Sequence, residues 1–464
     1  MSNALRASFI LLTGVLCGLA AADFPPVPPL PDKANFGVGI QRTMTLLATS
    51  TPENRKRVRI LFYGQSITGQ PWTNLVAEDL KKRFPHADLE VANKAIGGFA
   101  SQLLSKITEH DVYAFRPDLV IFHVYGANDT YEQIIRGIRT RTSSEVLLQK
   151  DHFGPKIPPV INNWDEANAL QKSDHNMWWD HMMNQVFVPD IAKKYGCGIA
   201  DVRSAWRQYL TDNKLDPQAL LSDEIHPNDH GGFVMAGIIS QYLVHRPELG
   251  NSEWKDLVRD VEPTVSGKQA TVSAEGNGFE VLAGAVDKPL TLDVTIDGKK
   301  PSEFPGCYTI TRPTPPPPVS PISLIRVDSN APLVLEQWTL TITSVSDDRT
   351  SWGYSLKGSV TGADGEGNSA ADFTSKSGRV VIKADSWFKG WTDQKLTVGS
   401  TVEWKVEPMF ADRVVLSKAS TPGSENLSIL AIGLPNEKHT VVLTGDRDLG
   451  TAIKAVRVHR PLHK

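Results

Sequence analysis

From about residue 55 to 250, short apolar runs alternate with longer stretches in which apolar residues recur every three or four positions. Apolar runs with no polar alternation suit strands buried on both faces, and the intervening 3.6-residue periodicity suits covering helices. The strand candidates are VRILFYG (58–64), LEVANKAI (89–96), DLVIFHVYG (118–126), EVLLQ (145–149) and GIADV (198–202). Between and after them, TNLVAEDLKKRF (73–84), YEQIIRGIRTRT (131–142), a long stretch from Met177 to Tyr195 and FVMAGIISQYLVHR (233–246) read as helices. Strand and helix in alternation predict an α/β domain with a doubly wound parallel sheet.

Past Asp260 the period changes to two. WTLTITSV, RVVIKA, TVEWKV, LSILAIGL, HTVVLTG and KAVRVHR are short alternating segments between Gly, Asp, Asn and Pro turns, which predicts a β-sandwich region over 260–464. RPTPPPPVSP (312–321) interrupts it as a stiff extended segment, leaving open two modules or one sandwich with a large insertion. Ahead of the first strand, residues 23–54 open on the proline-rich DFPPVPPLPDKA, which reads as a spacer that cannot be helix or central strand.

A chain of 464 residues exceeds a single hydrophobic core, consistent with this division. Forty-nine basic and 52 acidic side chains nearly cancel, giving −3, so no electrostatic footprint for nucleic acid or an anionic membrane is present. Residues 1–22 combine Arg6, an apolar run and Ala20-Ala21-Ala22 before Asp23, the pattern of a cleaved export signal. The run is shorter than the roughly 20 apolar residues of a membrane span, and no later stretch is long enough to cross. The expected location is periplasmic or extracellular, with no integral membrane segment in the mature chain. Of the remaining cysteines, Cys197 and Cys307 lie in segments of different character, and two buried thiols are favoured over a pair.

Four segments carry groups that nucleophilic ester hydrolysis requires: a hydroxyl on a sharp turn, a histidine base, a carboxylate to orient it, and donors for the oxyanion. YGQSIT (63–68) sets Ser66 directly after the first strand, at the sheet edge where open α/β folds bind ligands, and offers its backbone N–H as an oxyanion donor. NKAIGGFAS (93–101) ends a strand in paired glycines, and YGAND (125–129) supplies the Asn128 amide. In SDEIHPNDHGG (222–232), Asp223 precedes His226 by three residues, with Pro227 keeping the pair in a loop. His230, inside a helix expected to be capped by Asp229, is a rival base without such a carboxylate. Each segment alone has an ordinary reading as a turn or helix cap.

Taken together in this order and spacing, the four segments resemble the SGNH (GDSL-like) hydrolases over residues 55–250. The resemblance implies a flavodoxin-like α/β/α domain, Ser66 as nucleophile, His226 as base, Asp223 as its orienting carboxylate, and an oxyanion hole of Ser66, Gly98 and Asn128. It requires no cofactor. The serine block departs from the family pattern in having Gln65 where aspartate is usual, which resembles esterases that remove O-acetyl groups from sugars. An acylated small molecule or polysaccharide is therefore the expected substrate, with Gln65, Trp164, Trp178 and Trp179 as candidate contacts. The segment 152–180, which holds these tryptophans, is a candidate lid or sugar-stacking wall, although tryptophan is as often core. Lipase or general carboxylesterase activity, and a non-catalytic carbohydrate-binding shell, are the alternatives. His152, His175 and His181 lack the spacing of a metal site, and GADGEGN (362–368) lacks the order of a calcium loop and reads as a glycine-rich turn. Oligomeric state leaves no mark in the sequence.

Overall fold

The computed structural model describes residues 24–249, 256–313, 323–388 and 396–463. The expected export signal (1–22) and nearly all of the proline segment at 312–321 lie outside the described residues. The first part of the chain runs α1 (Gln41–Ala48), β1 (Arg57–Gly64), α2 (Trp72–Arg83), β2 (Asp88–Asn93), α3 (Ser101–Thr108), β3 (Leu119–His123), α4 (Asn128–Arg141), β4 (Glu145–Gln149), α5 (Trp164–Ser173), α6 (His175–Met182), α7 (Val188–Tyr195), β5 (Gly198–Ala200), α8 (Val202–Asp212) and α9 (Asp229–Tyr242).

The five strands form one sheet in the order β2-β1-β3-β4-β5, every pair parallel. Alternating side chains of each strand feed two cores. Val58, Ile60 and Phe62 of β1 and Leu119 and Ile121 of β3 meet α1, α2, α8 and α9 on one face. Leu61, Tyr63, Val120 and Phe122 meet α3, α4 and α7 on the other. Burial on both faces is why these strands read as continuous apolar runs, and the strand order makes the sheet flavodoxin-like. Because β2 and β3 flank β1 on opposite sides, the chain reverses its direction of travel across the sheet at β1. At such a switch point, here above the carboxyl ends of β1 and β3, open α/β folds place their ligand crevice.

The proline-rich lead-in is not an idle spacer. Phe24 stacks on His230 with ring centroids 4.3 Å apart, the Tyr209 hydroxyl donates to the Pro25 carbonyl, and Leu30 is buried in the core beside α9. Proline's fixed φ makes such an extended strap inexpensive to order against the helices.

The remaining strands are antiparallel: β6 (Val258–Val261), β7 (Thr264–Ser266), β8 (Gln269–Ala283), β9 (Leu290–Ile296), β10 (Tyr308–Ile310), β11 (Gln337–Val345), β12 (Trp352–Gly358), β13 (Gly362–Asn368), β14 (Phe373–Thr374), β15 (Val381–Ile382), β16 (Thr401–Pro408), β17 (Arg413–Leu416), β18 (Leu427–Gly445) and β19 (Ile453–His459). A seven-stranded sheet holds β6 to β9 and β17 to β19, and a five-stranded one holds β10 to β13 and β16. Each has its own core, around Phe279, Val294, Leu430 and Val456 in the first and around Trp338, Trp352, Tyr354 and Trp404 in the second. The second core is inserted between β9 and β17 of the first.

Three expectations change here. LSILAIGL and HTVVLTG are halves of the single 19-residue strand β18, which shifts register on β8 between Ile432 and Glu437 instead of turning back. GADGEGN is strand β13 and not a turn: it pairs along β12, and its Asp364 accepts from the Ser377 backbone and hydroxyl. RVVIKA contributes only the two residues of β15 as strand.

Ion pairs dock the seven-stranded sheet on the amino-terminal edge of the parallel sheet, while Asp385 and Arg326 of the inserted part pair with Lys106 of α3 and with Glu109 just after it. Glu280 of β8 is fully buried and meets Arg57, Arg116 and His459. Glu425 accepts from Lys56 and Arg457.

Candidate active site

β1 ends at Gly64, where an added Cβ would stand 2.0 Å from the His123 carbonyl, so only glycine lets the ends of β1 and β3 approach this closely. The chain then turns through Gln65 and Ser66, with the Gly69 N–H donating to the Gln65 carbonyl. Trp72 Nε1 donates to the Ile67 carbonyl and the Asn93 amide donates to the Thr68 carbonyl, so the turn is braced from α2 and from the end of β2. Ser66 is left half-buried at the mouth of the crevice.

The loop between α8 and α9 closes over it. Ser222 N–H donates to the His226 carbonyl and Leu221 pairs with Pro227, which folds 222–226 into a tight excursion. Within it, Asp223 Oδ1 accepts from the backbone N–H groups of Ile225 and His226, both at 2.7 Å. Asp223 Oδ2 lies 2.7 Å from His226 Nδ1, and His226 Nε2 lies 2.8 Å from Ser66 Oγ. A carboxylate can only accept, so Nδ1 carries the proton and the Nε2 lone pair faces the serine hydroxyl. The hydrogen bonds from the His226 backbone, the His226 ring and the Ile225 backbone hold the Asp223 carboxyl down to about 2, so it stays ionised through the physiological range. The arrangement can take a proton from Ser66 and stabilise the imidazolium that results.

The other two segments end at the same edge. Gly97 faces the serine, with an added Cβ 3.7 Å from Ser66 Cβ, and Gly98 beside it has φ +73°, a left-handed conformation in which L side chains are strained. Asn128 is the exposed first residue of α4, not part of an isolated turn. Its helix start is anchored by Ser101, whose hydroxyl donates to the Ala127 carbonyl and meets Thr130 Oγ1 at 2.7 Å. No acceptor among the described residues takes the N–H of Ser66, the N–H of Gly98 or the Asn128 side-chain amide.

His230 does not join this group. Its Nε2 lies 2.8 Å from the Tyr209 hydroxyl, its ring stacks on Phe24, and burial lowers its pKa. The cap of α9 is Asn228, whose side chain accepts from Gly231 N–H, and not Asp229, which is the first helical residue.

Residues 61–232 match the GDSL-like lipase/acylhydrolase family. The chain carries a GDSL-like hydrolase domain. It is thus an ester-bond hydrolase, with the family match covering the sheet from the middle of β1 onward, the Ser66 turn and the His226 loop. Among solved structures, the domain is similar to an acetylxylan esterase from Geobacillus stearothermophilus, determined as a catalytic mutant, at 19% identity over 43% of this chain and 99% of that one, with a TM-score of 0.34. An alpha/beta hydrolase from the metagenome of Lake Arreo is also 19% identical, over 43% and 100%, at 0.33. A two-domain esterase active on acetylated mannans is 15% identical over 88% of this chain and 92% of its own, again at 0.33. Likeness at this level is silent on substrate. No curated protein matches the chain.

Around the GDSL-like site the tryptophans part company. Trp164 opens α5 with 62% of its surface exposed. Trp178 is half-buried with its ring 5.2 Å from that of His175, and Trp179 packs on Tyr125 at 5.4 Å as part of the core. Among the described residues no group of three or more His, Cys, Asp or Glu could hold a metal, and Cys197 and Cys307 are separate buried thiols. No helix among the described residues is long and apolar enough to cross a membrane.

One pair in the GDSL-like domain goes unmarked in the sequence, where His152 figures only within a histidine group that lacks metal spacing. Asp151 and His152 follow β4, are buried, and lie against the loop that carries His226, with His152 Nε2 2.9 Å from the Ile225 carbonyl. Their position just past the carboxyl end of a strand was the available signal.

Proposed function

We propose that this protein is an exported serine esterase that removes O-acetyl groups from carbohydrates, with Ser66 as nucleophile, His226 as general base and Asp223 as the carboxylate that holds His226. The observation that carries the reading is the unbroken chain from Asp223 Oδ2 through His226 to Ser66 Oγ, at 2.7 and 2.8 Å. As Oγ attacks the ester carbonyl, His226 takes its proton, and Asp223 stabilises the imidazolium. The oxyanion rests on the N–H groups of Ser66 and Gly98 and on the Asn128 amide, three donors with no acceptor of their own among the described residues. His226 then protonates the departing sugar oxygen, and water releases acetate by the same steps reversed.

The substrate class is supported by the signal-like residues 1–22, the near-neutral net charge of −3, and Gln65 beside the nucleophile. The exposed indole of Trp164 offers a face on which a sugar ring can stack. Acetate release from a panel of acetylated glycans, run beside nitrophenyl esters of increasing acyl length, tests this. Activity on acetyl groups that falls as the acyl chain lengthens is expected. Preference for long acyl chains would replace the carbohydrate reading with a lipase.

A further inference from the structure

The peptide unit joining Ile225 to His226 is gripped at both ends. Its N–H donates to Asp223 Oδ1 at 2.7 Å, and its carbonyl lies 2.9 Å from His152 Nε2. The other ring nitrogen of His152, Nδ1, lies 2.7 Å from Asp151 Oδ1. A carbonyl oxygen and a carboxylate oxygen both accept, so both nitrogens of His152 must donate. We infer that this doubly donating His152, charged against Asp151, is a positioning residue that fixes the Ile225–His226 peptide and thereby aims the catalytic base at Ser66. The inference rests on the reading of Ser66 and His226 as catalytic.

The surroundings favour the ion pair. Burial works against charge on His152, but the Asp151 carboxylate, by attraction and hydrogen bond, and the Ile225 carbonyl outweigh it and raise its pKa. Burial likewise opposes charge on Asp151, yet His152 and His123 bring it well below the usual carboxylate range. His123, at the end of β3, places Nε2 3.1 Å from Asp151 Oδ1. From α8, Arg203 donates to the His152 carbonyl and opposes the charge on its ring, while being neutralised by Asp180. The Tyr125 hydroxyl donates to Asp180, the Asn184 amide oxygen accepts from the Asp151 N–H, and the Trp206 ring closes the far side of His152 at 4.9 Å. On the catalytic loop itself the facing charges are Asp223 and Glu224, both exposed.

A neutral His152 cannot keep both bonds. Losing the Nδ1 proton sets a lone pair against the Asp151 carboxylate, and losing the Nε2 proton sets one against the Ile225 carbonyl. The grip on the base is therefore present while His152 is protonated and is lost as pH rises through its elevated pKa. In Asp151→Asn the side-chain amide can donate to Nδ1, so a neutral ring retains Nε2–H for Ile225 and has no further proton to lose.

The test uses the full chain and two readouts: kcat and KM for a short-chain ester across pH, and the protonation of the histidine ring nitrogens by nitrogen-15 NMR. In the wild type, His152 is expected to show two N–H groups at neutral pH, and kcat to fall on the alkaline side with KM steady. Asp151→Asn should show one N–H on His152, lack the alkaline fall, and lose less kcat than His152→Leu. His152→Leu should lose on the order of 10²-fold in kcat, the cost of a base displaced by about an ångström. A single N–H on wild-type His152, an alkaline fall unchanged in Asp151→Asn, or wild-type kcat in a folded His152→Leu would each overturn the inference. The ring-nitrogen readout does not depend on turnover. Should Ser66→Ala remain active, the reading of Ser66 as nucleophile fails while that readout still decides whether the grip exists.

Discussion

Ser66 Oγ and His226 Nε2 lie 2.8 Å apart although 160 residues separate them along the chain. One hangs from the end of β1 and the other from the loop before α9, so the contact exists only when the whole parallel sheet and its covering helices are assembled. The same loop supplies Asp223, whose two oxygens divide the work between the backbone of the loop and the imidazole.

Asp223→Asn keeps the size of the side chain but offers an amide where His226 Nδ1 needs an acceptor, and so favours the wrong tautomer. A drop in kcat of about 10² to 10⁴ is expected. His230→Ala removes the other histidine of the segment, which is occupied by Tyr209 and Phe24, and should leave kcat close to wild type. Steady-state kinetics on the two variants separate the roles.

Asn128→Ala deletes one of three donors assigned to the oxyanion. Because that charge develops in the transition state, kcat should fall by about 10² to 10³ with KM little changed. A rise in KM at constant kcat would make Asn128 a binding residue instead.

Much of this was legible in the sequence because local pattern and tertiary role agreed. Ile60 to Tyr63 are buried on both faces, and an apolar run with a serine turn at its end already says parallel strand and ligand edge. Agreement failed where pairing overrode composition. The PNEK stretch inside β18 has the residues of a turn, but pairing of β8 on both sides of it carries the chain straight through a register shift. Three glycines within the seven residues of GADGEGN likewise say turn, while the pairing with β12 makes it a strand. Asp151 and His152 form no motif with Ile225, 73 residues further on, so their contact with the loop appears only in three dimensions.

Glu425 ties the β region to the start of β1, accepting from Lys56 and from two nitrogens of Arg457. Burial pushes its pKa up, but Arg457 and Lys56 more than compensate and bring it down to about 2. A carboxyl depressed on folding stabilises above the ordinary glutamate range and loses that contribution as pH falls toward its folded value. Glu425→Gln, which leaves Lys56 without its carboxylate and Arg457 with Asp260 alone, should cost about 1 to 3 kcal/mol at neutral pH. The gap to wild type should narrow as the pH drops from about 4 towards 2. Denaturant unfolding at several pH values measures it, and a pH-independent gap would speak against the ion pair.

The central claim is that Ser66 is the nucleophile, and the ester hydrolysis rate of purified Ser66→Ala against wild type tests it most directly. A half-buried hydroxyl on a turn contributes little to stability, so the variant should unfold at nearly the same temperature. Its kcat should fall by about 10⁴ or more, the residue of activity coming from binding and the oxyanion donors alone. A folded Ser66→Ala that hydrolyses esters within a few-fold of wild type would contradict the account.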